Sequence, residues 1–181
     1  MICNMRACLA AVVVCGCGSS PNVPVDAAKP ADAYDTARCL IKGDYGALGT
    51  VTGAAGSNAG ATTITVVLDP GPPGKDDFFM KLVPGKGVFA GGVAAGTYTL
   101  AGVDTNFINC GLCTNLIADI IASSGPSKFY FTDSGTVTLT QVTPPIAGSA
   151  QNLHFVEVDL GGTPVAGGCT ASIASVTFST P

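Results

Sequence analysis

The sequence predicts an all-β domain: an antiparallel β-sandwich, Ig-like or jelly-roll-like, of about eight strands, with a β-barrel as the second reading. Charged residues make up 11% of the chain, against an ordinary fraction of about 25%, so helices held by surface ion pairs have little to work with. Glu157 is the only glutamate, against eleven aspartates; Asp favours turns and caps, whereas Glu suits helix interiors. Threonine alternates through Thr136, Thr138 and Thr140, as β-branched residues do on a half-exposed pleated face.

Residues 1–16 read as a lipoprotein signal peptide. Arg6 is their only charge, and the uncharged run Ala7 to Val14 is far shorter than the roughly 20 apolar residues that span a bilayer. Val14-Cys15-Gly16-Cys17 has the form of a lipobox, with a small residue directly before a lipidated Cys17. Residues 17–37, rich in Ser, Pro, Ala and Asp and without apolar periodicity, suit a solvated tether. The expected domain covers residues 38–181.

Within it, Asp44-Tyr45-Gly46 reads as a turn before a weak strand at 48–52, and GAAGSNAG at 53–60 as a flexible turn. Thr62 to Leu68 alternates Ile64, Val66 and Leu68 against Thr63, Thr65 and Val67, a strong strand pattern. The proline loop at 70–74 stops it, since tandem prolines cannot donate to a ladder. Asp77 to Val83 places Phe78, Met80 and Leu82 on one side, and Gly96 to Gly102 is a further strand. Between them, 84–96 is too glycine-rich for more than a brief extended piece at Val88-Phe89.

The middle of the sheet is expected at 106–142. Leu116, Ile117, Ile120 and Ile121, then Phe129 and Phe131, then Val137 and Leu139 form one apolar face if Ser123 to Pro126 and Asp133-Ser134-Gly135 are hairpin connections. From Ile146 to Leu160 the pattern changes phase. Leu153 and Phe155 share one side, Val156, Val158 and Leu160 the other, which points to a bulge or to a strand that changes sheets. Residues 169–178 close the domain, with Ile173 facing inward.

Beyond the signal cysteines and the lipidated Cys17, four cysteines remain: Cys39, Cys110, Cys113 and Cys169. In an exported domain they read as two disulfides with three possible connectivities. Cys110 with Cys113 and Cys39 with Cys169 is preferred, because neighbours meet easily and the second bridge then ties the ends together. A redox reading of C-G-L-C needs a helix N-terminus in a βαβ setting, and no βαβ alternation exists.

His154, the sole histidine, lies between Leu153 and Phe155, so alternation turns it to the opposite, solvent-facing side. No G-x-S-x-G elbow presents a serine to it, and one histidine beside paired cysteines gives no zinc spacing. Asp69, Asp76 and Asp77 flank the proline loop, and Asp104-Thr105-Asn106 has the D-x-N form of calcium loops. No stretch supplies the remaining ligands of an EF-hand, so these aspartates read as turn residues. A net charge of -4 with scattered lysines offers no phosphate-binding stripe, which excludes nucleic acid.

The lipobox at Cys17, the tether, the segment CGLCTNLIADI leading into KFYFTDSGTVTLTQV, and the closing PVAGGCTASIASVTF resemble small lipoproteins of myxobacteria and their relatives. The resemblance implies an envelope-anchored β-sandwich, and it brings no catalytic residues. The expected protein is thus a non-enzymatic, exported lipoprotein of the cell envelope, at the outer membrane. Its disulfide-stapled domain is a binding or structural module without catalytic, metal or cofactor residues, and its partners are the membrane, through the anchor, and a protein or glycan. An unrecognised hydrolase or carbohydrate-active enzyme is the competing class.

Overall fold

The computed structural model describes residues 35–69, 74–121 and 123–181. The expected signal peptide, the lipidation site Cys17 and the tether as far as residue 34 lie outside the described residues. The first described element is a one-turn helix, α1 (Thr36–Cys39), which starts inside the expected tether and whose N-cap Asp35 accepts the Arg38 N–H at 3.1 Å.

The domain is all-β. Its strands are β1 (Ala47–Thr52), β2 (Ala54–Asn58), β3 (Ala61–Asp69), β4 (Lys75–Leu82), β5 (Gly96–Leu100), β6 (Leu112–Ile120), β7 (Lys128–Gln141), β8 (Ala147–Val158) and β9 (Thr170–Ser179). The expected extended piece at Val88-Phe89 is instead a 3₁₀ turn, Gly87–Phe89. Where two packed sheets were expected, the hydrogen-bonded ladder is continuous, in the order β1-β9-β8-β7-β6-β4-β3-β2 with β5 also on β7, and it curls into a half-barrel.

The two ends of that order are consecutive in the chain. β1 pairs in parallel with β9, β2 pairs antiparallel with β3, and only Gly53 separates them. At this residue the chain touches both walls: its N–H donates to Ser179 O at 2.9 Å. An added Cβ would lie 3.0 Å from the Ile64 side chain and 3.2 Å from Thr65 O, so a residue without a side chain suits the corner. The stretch read as a flexible turn is therefore mostly strand β2, paired from Ala54↔Thr65 to Asn58↔Ala61. All its residues are exposed, which is why no apolar alternation announced it.

Curling is possible because the two longest strands bend. Asp133-Ser134-Gly135 does not end a strand; it lies inside β7, whose register on β8 shifts between Thr132 and Ser134 and again before Thr136. Each bulge breaks the alternation of faces. Tyr130 and Thr132 point into the core before it, Val137 and Leu139 after it, so Phe129 and Phe131 lie on the outer face rather than beside Val137. In β8 the break lies at Asn152, at φ 51°, and not after Phe155. Ala150, Leu153 and Phe155 are core residues, while Val158 is buried on the outer face.

The inner face of the sheet forms the main core, including Phe78, Met80, Leu116, Phe155, Ile173 and Phe178. Its polar groups have partners. Tyr130 donates its hydroxyl to Cys39 O, and Thr132 Oγ1 donates to Thr114 O at 2.9 Å while the two threonine hydroxyls bond each other. Both preferred disulfides are present: Cys39–Cys169, with Cα atoms 5.6 Å apart, and Cys110–Cys113, 5.3 Å apart.

Candidate functional site

A second, smaller apolar cluster covers the outer face, where Cys110, Cys113, Phe131 and Val158 are buried with Val83, Phe129 and Val156 against them. Antiparallel register sets its layout. Phe79 on β4 stands opposite Asn115 on β6, and Asn115 opposite Phe131 on β7; Lys81 stands opposite Cys113, and Ile117 opposite Phe129. Alternation sends Phe78, Met80 and Leu82 inward and turns Phe79 and Lys81 outward, so β4 carries an aromatic ring on each face.

The loop between β5 and β6 covers part of this face. Phe107 packs edge to face on Phe131, ring centroids 5.6 Å apart, an arrangement aromatic quadrupoles favour. Asp104 holds the loop down. Its buried carboxylate accepts three backbone N–H groups: Gly111 at 2.7 Å, Leu112 at 3.1 Å and Val88 at 3.0 Å. Gly87 leaves room for the carboxylate, since an added Cβ would fall 2.2 Å from Asp104 Oδ1, and Gly111 lets the 3₁₀ turn pack close, since an added Cβ there would fall 2.1 Å from Lys86 O.

Between the loop and the strands lies a cleft of about 320 Å³, lined by Phe79, Lys81, Phe107, Ile108, Asn115 and Phe129 among others. That volume is at the lower end of the roughly 300–1,000 Å³ usual for small-molecule sites. Its lining is mainly apolar and includes the Cys110–Cys113 bridge. Ile108 on its rim is 64% exposed. Three polar side chains in it make no side-chain hydrogen bond or ion pair among the described residues: Asn58, which is exposed, Asn115 and Lys81. Asn115, 7% exposed, has a buried Oδ1 without a hydrogen-bond partner among the described residues, and Lys81 makes no ion pair or hydrogen bond among them. The neighbouring Lys86 is engaged, its ammonium donating to Ile108 O at 2.9 Å.

The residues singled out in the sequence go elsewhere. Cys110 and Cys113 form a bridge at the start of a strand rather than at a helix N-terminus, and so lack the dipole that activates a redox thiol. His154 is half-exposed, its Nδ1 2.7 Å from Asp133 Oδ1. Ser134 donates to that same oxygen at 3.1 Å, so the hydroxyl reaches the acid and not the imidazole. In Asp104-Thr105-Asn106 the carboxylate serves the loop, and Asn106 Oδ1 accepts from Ile108 N and Asn109 N, both at 3.1 Å.

The aspartates at the proline loop separate. Asp69 pairs with Lys42 at 3.5 Å and Asp77 with Lys75 at 2.9 Å. Asp76 accepts from Asp119 N and from the Tyr45 hydroxyl, each at 3.0 Å, and burial, the largest influence, pushes its carboxyl above the ordinary range. Among the described residues no group of three or more His, Cys, Asp or Glu side chains is placed to hold a metal ion.

Sequence reasoning missed the cleft. The available signal was the second apolar set, Phe79, Ile117, Phe129 and Phe131, each out of phase with a core residue beside it. No protein-family model matches the chain, and neither does any curated protein or solved structure.

Proposed function

We infer that the protein is a non-enzymatic binding module of the cell envelope, tethered to the membrane by lipid on Cys17, with the outer-face cleft as its binding site. One observation carries the binding part. Asp104, Tyr130, Thr132 and Glu157 make hydrogen bonds within the protein, and Asp77, whose Oδ1 is a buried acceptor without a partner among the described residues, is held through Oδ2 by Lys75 at 2.9 Å. In the cleft, Asn115 Oδ1 and the Lys81 ammonium have no partner among the described residues. An unsatisfied buried acceptor costs about 1–3 kcal/mol, a cost that a bound molecule relieves. The anchoring part rests on Gly16-Cys17 after a short apolar run, and the two disulfides fit an oxidising compartment.

Mass spectrometry of the mature N-terminus tests the anchor. Diacylglyceryl-modified Cys17 is the expected species, and Cys17→Ala should move the protein from the membrane fraction to the soluble one. An unmodified chain with a different N-terminus would remove the membrane from the reading. For the binding part, the fluorescent amphiphile anilinonaphthalene sulfonate should bind the purified protein and lose most of its affinity in Phe129→Asp.

A further inference from the structure

Resting on that binding role, we propose that the cleft takes a small amphiphilic carboxylate: an aliphatic chain whose acid group meets Lys81 and whose hydroxyl, close to the acid, donates to Asn115. Each part of the ligand answers a side chain. The apolar lining of Phe79, Phe129 and the Cys110–Cys113 bridge suits hydrocarbon. Asn115 Oδ1, buried and without a partner among the described residues, accepts and so calls for a donor. A methyl or methylene placed there leaves the cost of the stranded acceptor in place.

The anion follows from Lys81. On the outer face it is the diagonal neighbour of Asn115, since Lys81 pairs with Cys113 two residues before Asn115 along β6. Diagonal neighbours stand about 7–8 Å apart, within reach of a long side chain, so one ligand engages both when its donor lies close to its charge. Carboxylate is favoured over phosphate. Lys81 is the one lysine in the cleft lining whose ammonium is not engaged within the described residues, the other being Lys86, and the lining holds no arginine, whereas phosphate sites gather several donors or a bidentate guanidinium.

Size follows from volume. A cleft of about 320 Å³ holds the volume of roughly ten waters at about 30 Å³ each, and therefore a ligand of about ten non-hydrogen atoms. 3-Hydroxyoctanoate meets that size, and its short chain keeps it monomeric in solution.

Titration calorimetry of the purified full chain with 3-hydroxyoctanoate, octanoate and anilinonaphthalene sulfonate decides the matter. 3-Hydroxyoctanoate should bind about tenfold more tightly than octanoate, the worth of one hydrogen bond to a buried acceptor. Asn115→Leu should erase that difference, and Lys81→Met should weaken both acids several-fold and remove their salt dependence. Should Asn115→Leu fail to fold, the two acids compared on the native protein still decide. Equal or tighter binding of octanoate overturns the hydroxy-acid assignment while leaving the cleft as a binding site. Binding of the dye alone, lost in Phe129→Asp, overturns the carboxylate class and spares the binding module. If none of the three binds, the ligand class and the binding role fall together.

Discussion

Phe78 on β4 and Phe155 on β8 meet edge to face, their ring centroids 6.3 Å apart, although β6 and β7 lie between them in the sheet. Three strand spacings of about 4.8 Å would separate them by roughly 14 Å in a flat sheet. Their contact measures the curl. It also locates the centre of the core, where both rings are fully buried. Phe155→Ala should cost about 3–5 kcal/mol in urea unfolding, because the cavity lies between two walls that cannot collapse independently.

His154, beside Phe155, should behave oppositely. Its pair with Asp133 is 43% exposed on both sides, and pairs of that kind contribute about 0–1 kcal/mol. His154→Ala should shift stability by less than about 0.5 kcal/mol. A loss as large as that of Phe155→Ala would make the histidine a group with a role beyond its surface pair.

Asp104 should prove far more costly than its place in a loop suggests. Asp104→Ala leaves the amides of Val88, Gly111 and Leu112 without their acceptor, two of them in buried residues, at about 1–3 kcal/mol for each buried donor that stays unpaired. A loss of about 3 kcal/mol or more is expected. Hydrogen exchange should quicken at Gly111 and Leu112, and the cleft should lose ligand affinity as its covering loop loosens.

The two disulfides should differ in worth. Cys39–Cys169 spans a sequence separation of 130 residues, Cys110–Cys113 a separation of 3. In the chain-entropy model the long bridge contributes about 5 kcal/mol and the short one about 2. Paired Cys→Ser variants, compared by denaturant midpoint, should rank in that order. Alkylation of the native protein should find no free thiol among the four.

The acid limb of stability should respond to two carboxyls with opposite signs. Burial alone would raise Glu157, but the Lys128 hydrogen bond, the Cys169 N–H and the charges of Lys128 and Arg38 outweigh it and hold the carboxyl below its ordinary 4.5. A depressed folded value means stability that is present above the unfolded pKa and lost as pH falls through the folded one. Glu157→Gln should therefore flatten the loss below about pH 4.5. Asp76 is raised above 3.8, chiefly by burial. Its contribution is present below 3.8 and declines as pH rises through the folded value, so Asp76→Asn should gain on the native protein as pH rises through that window. Urea midpoints between about pH 3 and pH 6 would show both slopes.

Composition and alternation alone determined the all-β class, the positions of β3, β4, β5 and β9, and the inward set of Phe78, Met80, Leu82 and Ile173. These residues alternate against polar or half-buried neighbours, and a local period of two is enough to read them. The preferred cysteine pairing was also legible, because Cys110 and Cys113 are neighbours and only Cys39 and Cys169 then remain. Tertiary structure decided the rest. β2 has no buried residue, so its strand state comes from the hydrogen bonds β3 offers it. Asp133-Ser134-Gly135 looks like a hairpin connection, but becomes a bulge because both sides of it keep the same neighbouring strand, and the broken alternation then sends Phe129 and Phe131 outward. The cleft needs β4, β6, β7 and a loop clamped by Asp104 in one place. Alternation records that a strand has two faces; what covers the second face depends on chain folded over it from elsewhere, and no local pattern carries that information.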